Sequence, residues 1–160
     1  MPVPEHLLAF WAEFCRAKGG VAEERFYEAF FFGDGEAMAN ELGDLVLRGI
    51  KRATAGSLWS YQEEGQPLPQ PGGLSIVTNW SRQPLCVIET QAVEVVPFQA
   101  VTAEFAATEG EGDGSLSFWQ QAHREFFTRD CERMGKQFTE SMQVVCERFA
   151  VVYRGSGSGA

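Results

Sequence analysis

The chain has 160 residues and a net charge of −9, and its 13 Phe, 4 Trp and 3 Tyr supply ample material for a hydrophobic core. The acidic balance excludes the extended basic surface that unspecific binding of duplex DNA needs to displace counterions. It leaves room for a small, locally basic pocket that takes a nucleoside or one unpaired nucleotide. In chain order, the spacing of Leu7, Leu8, Trp11, Phe14 and Cys15 predicts a helix over 4–18, opened by Pro4 and stopped by Gly19 and Gly20. The aromatic run over 25–32 reads as a strand or extended segment leading into the turn Gly33-Asp34-Gly35. Met38, Leu42, Leu45 and Val46 mark a second helix over 36–48, and Gly49 suits its left-handed termination.

A strand is expected over 52–57, then a short helical turn over 58–64 ended by Gly65, then a loop built on Pro67, Pro69, Pro71, Gly72 and Gly73. The segments 74–79 and 85–96 are rich in β-branched residues and read as strands joined by a turn near 81–84. A short helix follows over 101–108. Ser115 is a good N-cap for a longer one with Trp119, Ala122, His123, Phe126 and Phe127 on one face, and 144–153 closes the chain as a strand. Sequential strands lie too close together for helical crossovers. The expected class is therefore α+β, a mainly antiparallel curved sheet or small barrel flanked by helices, forming one domain over 1–154. Residues 155–160 have the composition of a flexible Gly/Ser linker and are set aside as a tail.

Cys15, Cys86, Cys131 and Cys146 show no paired spacing, and His6 and His123 are too few to complete a zinc template. The thiols read as buried and reduced, and no metal or cofactor is expected. No run approaches about 18 apolar residues and no export signal opens the chain, so the expected location is cytoplasmic, with no membrane partner.

Three polar features bear on chemistry. Lys51 and Thr54 follow the second helix. On a regular strand residues three apart point to opposite faces, so the pair converges only at an irregular helix exit or if Lys51 reaches back from the turn. Either desolvation and the neighbouring Arg48 and Arg52 depress this lysine into a general base, or it belongs to a solvent-exposed Lys-Arg pair favoured by the helix dipole. The second feature is the loop Glu109-Gly110-Glu111-Gly112-Asp113-Gly114, where glycines allow close backbone approach and one carboxylate can turn inward; its alternative is a mobile acidic surface loop. The third is aromatic: Trp59, Tyr61 and one of Phe30 to Phe32 suit a wall for base stacking, the others core. His123, on an apolar helix face, reads as a hydrogen-bonded structural histidine.

Phe32-Gly33-Asp34, the segment from Gly49-Ile50-Lys51-Arg52-Ala53-Thr54 to Trp59, Glu109-Gly110-Glu111-Gly112-Asp113 with Ser115 and Trp119, then His123, Phe126-Phe127 and Val145-Cys146-Glu147-Arg148-Phe149 resemble, in order and spacing, the ASCH domain family in its longer bacterial branch. The resemblance implies a PUA-like fold, a small β-barrel surrounded by helices, with a cleft beside the Gly-x-Lys-x-x-Thr segment. It also implies an amidohydrolase that removes acyl groups from the exocyclic nitrogen of cytidine or cytosine. Carried over by motif, the catalytic residues fall on Lys51, Thr54 and Glu111, with Glu109 as the second candidate carboxylate. Phe32, Arg52, Ser57, Trp59, Tyr61 and Glu109 are expected around the substrate. The implied mechanism has Thr54 attack the acyl carbonyl while a neutral Lys51 accepts its proton and Glu111 assists the leaving group. Other members bind or cleave RNA, so a single-stranded RNA partner is the alternative to a small nucleoside or nucleobase substrate. Compared with the smallest amidohydrolases, this chain has an added N-terminal helix and a longer proline-rich loop.

Overall fold

The computed structural model describes residues 2–155; the expected tail, apart from Gly155, lies outside the described residues. The helices are α1 (Leu8–Ala17), α2 (Glu36–Leu47), α3 (Leu58–Glu64), α4 (Ala103–Glu109) and α5 (Leu116–Arg133). The strands are β1 (Phe26–Phe30), β2 (Ala53–Ser57), β3 (Leu74–Thr78), β4 (Pro84–Pro97) and β5 (Gln143–Tyr153). These elements match the sequence expectation closely, because the local signals that define them are strong. Gly49 leaves α2 with a positive φ of 75°, and the hydroxyls of Ser57, Thr102 and Ser115 each accept a backbone N–H in the first turn of α3, α4 and α5.

The five strands follow the order β1-β3-β4-β5-β2. The class is α+β, as expected, but the sheet is not closed into a barrel: the end strands are β1 and β2, and each pairs on one side only. The reason lies in β1, which pairs in parallel with β3 from Phe26 opposite Leu74 to Phe30 opposite Val77. A parallel pair needs a long crossover. Here it is the whole stretch between those strands, which carries α2, β2 and α3. The expectation considered only sequential strands and so missed it. The other assigned pairs are antiparallel.

The chain forms two compact units. One comprises 1–50, 70–91 and 149–160. Alternation along its strands divides its core in two: Leu74, Ile76 and Val87 meet Trp11 and Phe14 of α1, while Val77, Cys86 and Ile88 meet Leu42 and Val46 of α2. The other unit comprises 51–69 and 92–148. Its core gathers Ala53, Val144 and Cys146 from β2 and β5 with Phe105 and Ala106 of α4 and Trp119, Phe127 and Cys131 of α5.

Candidate functional site

Within the second unit, the backbone N–H of Arg52 donates to the carbonyl of Thr108 at 2.9 Å, which fixes the residue before β2 against the last turn of α4. Lys51 and Glu109 are thereby neighbours, although 58 positions separate them in sequence. Gly110 ends α4 in the left-handed conformation, with φ 67°, and returns the chain so that Glu111 faces the same point.

The Lys51 side chain is 1% exposed. Its ammonium donates to Glu109 Oε1 at 2.8 Å, Glu111 Oε2 at 2.7 Å and the carbonyl of Ala53 at 2.7 Å. These three acceptors match its three hydrogens. Glu109, equally buried, receives the indole Nε1–H of Trp119 on its other oxygen at 2.5 Å, and the same oxygen faces His123 Nε2 at 3.4 Å. His123 Nδ1 donates to the Trp119 carbonyl at 3.0 Å, and the two rings stack 4.1 Å apart at 15°. Because a carbonyl only accepts, this bond puts a proton on Nδ1 and fixes which ring nitrogen looks at the carboxylate. The expectation of a hydrogen-bonded structural histidine agrees with this geometry.

The three ionisable groups are driven in different directions. Burial alone disfavours the Lys51 ammonium, yet the Glu109 and Glu111 charges and hydrogen bonds outweigh it and hold the lysine above its ordinary range. Burial likewise opposes ionisation of Glu109, but Lys51 and His123 overcome it and bring that carboxyl down to about 2. For Glu111, burial and the adjacent Glu109 charge prevail over Lys51, and its pKa is raised. The centre thus joins a persistent cation, a persistent carboxylate and a second carboxyl held above its ordinary range. Glu111 is also the most open of the three side chains, at 19% exposure.

This arrangement differs from both local readings of Lys51. The residue is not solvent-exposed, and its charged neighbours are carboxylates that raise its pKa. Arg48 instead pairs with Asp44, and Arg52 is exposed. The acidic loop is not simply a surface feature either, since two of its carboxylates turn inward. Glu109, Glu111 and His123 present ligand atoms within 4.8 Å of one another, a spacing compatible with a metal ion. The Lys51 ammonium already bridges the two carboxylates, however, and a divalent cation would meet it as a like charge.

Of the other expected site residues, Thr54 is half-buried on β2 and stands opposite Glu147 of β5. Its neighbours Ala53 and Ala55 belong to the α4/α5 core, so alternation sends the Thr54 side chain to the other face of the strand. No hydrogen bond joins that side chain to Lys51. Ser57 is buried and caps α3 by accepting Ser60 N–H at 3.4 Å. The Tyr61 ring lies against Gly56, where a Cβ would come within 3.3 Å of Tyr61 Cε2. Trp59 packs at the edge of the core with the Lys136 ammonium 5.3 Å from its ring centre, and lines a cavity of about 200 Å³ with Gln62 and Met142. Phe32 is buried in the first unit between Phe30 and Phe149. Sequence reasoning did not find the part Trp119 plays in holding Glu109. The available signal was the spacing of Trp119 and His123, one helical turn apart just after the acidic loop.

The family model described as ASCH domain matches residues 28–153 of this chain. An ASCH domain from Lactobacillus crispatus JV V101 is similar in structure with a TM-score of 0.85 and 40% sequence identity, over 95% of this chain and 97% of that one. A protein from Enterococcus faecalis V583 gives a TM-score of 0.83 at 34% identity, over 91% and 87% of the two chains. A hypothetical protein at 15% identity and a TM-score of 0.52 shares the fold alone. No curated protein matches the chain.

Proposed function

The chain belongs to the ASCH domain family, and from that premise we propose that the Lys51 centre, together with Thr54, hydrolyses the exocyclic N4-acyl amide of cytidine or cytosine. The observation that carries the reading is the pair of carboxyls around one buried cation, with Glu109 pushed down and Glu111 pushed up. A carboxyl whose pKa is raised is suited to take and return a proton, while one held ionised anchors the cation. In this reading Lys51 acts as a cation. Its hydrogens stay on Glu109, Glu111 and the Ala53 carbonyl, and its positive charge offsets the negative charge that develops on the acyl oxygen, which needs no neutral lysine. Thr54 follows the Ala53 carbonyl that Lys51 holds; its Oγ attacks the acyl carbon, and its proton passes to Glu111 by way of a water, because its side chain leaves the other face of β2. Glu111 returns that proton to N4 as the carbon–nitrogen bond breaks, leaving cytidine and an acyl ester on Thr54. Water then attacks the ester, releases the carboxylic acid and restores the threonine hydroxyl. Glu109, braced by Trp119, keeps the ammonium in place throughout.

The test is incubation of the protein with N4-acetylcytidine and, separately, with a short single-stranded RNA. The expected result is cytidine and acetate, with Glu111→Gln, Lys51→Ala and Thr54→Ala each about 10²–10⁴-fold slower. RNA fragments without cytidine would replace this reading with a metal-independent ribonuclease. If wild-type protein yields neither product, hydrolysis at this centre is refuted.

A further inference from the structure

The first unit contains an open cavity of about 490 Å³ that the Lys51 centre does not use, bordered by His6, Phe30, Phe31, Thr78 and Arg82. We propose that it binds a nucleoside 5′-monophosphate, free or as the 5′ end of a short RNA, with the base against Phe31 and the phosphate on Arg82. Its volume lies in the range of small-ligand sites, roughly 300–1,000 Å³.

Three observations support this assignment. Arg82 is the single non-glycine residue with a positive φ (66°) among the described residues. It ends the turn Asn79–Arg82, where its N–H donates to the Asn79 carbonyl at 3.0 Å, and this is a left-handed hairpin position normally given to Gly or Asn. A side chain kept at such a position against local preference is a reason to look for function there. Secondly, every interaction of Arg82 among the described residues uses its backbone: the N–H just described, and the carbonyl, which accepts from His6 Nε2 at 3.2 Å. The turn is tied down while the guanidinium remains available to an anion, in a protein whose overall charge is −9. Thirdly, Phe31 and Trp80 form an aromatic pair with ring centres 5.0 Å apart, and Trp80 is 39% exposed. Of the pair, Phe31 borders the cavity together with Arg82, and an aromatic ring and an unpaired guanidinium on one cavity are the chemistry that takes a base and its phosphate together.

The proposal is independent of the amidohydrolase reading, since none of these residues belongs to the Lys51 centre. Calorimetric titration of wild type, Arg82→Lys and Arg82→Gly with cytidine, cytidine 5′-monophosphate and a 5′-phosphorylated dinucleotide tests it. Wild type is expected to bind the monophosphate at least tenfold more tightly than cytidine. Arg82→Gly should abolish that preference while raising the melting temperature, because glycine relieves the turn, and Arg82→Lys should retain part of it. Equal Arg82 dependence with the dinucleotide assigns the site to RNA ends, and dependence with the monophosphate alone assigns it to free nucleotide. If wild type shows no preference for the phosphate, or if Arg82→Gly leaves that preference intact, the proposal is overturned. Binding at the Lys51 centre would be indifferent to Arg82.

Discussion

Glu109 shows how much of the candidate site depends on one side chain. Its carboxyl, ordinarily near 4.5, is brought to about 2 in the folded protein. A depressed carboxyl contributes stability that is present above the ordinary value and is lost as pH falls from about 4.5 towards 2. Lys51, raised above 10.5, contributes below that pH and loses its contribution only as the solution becomes strongly alkaline. Glu111 runs the other way, since a raised carboxyl gives up stability as pH climbs past its ordinary range. Glu109→Gln should therefore cost about 3–5 kcal/mol at pH 7, because it takes the buried carboxylate from a buried ion pair, and the deficit should shrink near pH 2, where about half of the wild-type carboxyl is also protonated. Urea denaturation at the two pH values measures both quantities. The acidic loop was legible as three carboxylates alternating with glycines, one of them expected to turn inward, but which one is the buried anchor was not. That is decided by Trp119 and His123, whose meeting with the end of α4 no local pattern encodes. The placement of Thr54 away from Ala53 and Ala55, by contrast, follows from strand alternation alone.

Elements were the easiest level to read, because their boundaries are chemical. Ser115 at the start of α5 accepts the Phe118 N–H at 3.1 Å, as its position before a helical apolar pattern suggests. Removing that acceptor with Ser115→Ala should cost about 1 kcal/mol, whereas Ser115→Gly should cost only a few tenths. Chemical denaturation of the two variants checks the ranking. The open sheet was harder, for a reason specific to β1. Nothing in Phe26–Phe30 distinguishes a strand that pairs in parallel with β3 from one that closes a barrel against β2. Pairing partners distant in sequence are chosen by side-chain packing across the sheet, such as that of Leu74 and Ile76 with Trp11 and Phe14.

At the scale of the molecule, each compact unit carries a thiol that burial pushes up to about 12: Cys86 in one and Cys146 in the other. Alkylation requires a thiolate. Neither residue should react with iodoacetamide at pH 8 in the native protein, and each should become reactive when its own unit unfolds, a pattern that peptide mapping across a urea series resolves. Two of the four limits between the units also fall inside continuous strands, after Gln91 within β4 and after Arg148 within β5. One unit is assembled from three stretches of chain and the other from two. Neither can be excised as a single uninterrupted gene fragment. Exchanging either unit by simple splicing would cut through both β4 and β5, whereas substitutions and loop insertions leave those strands whole.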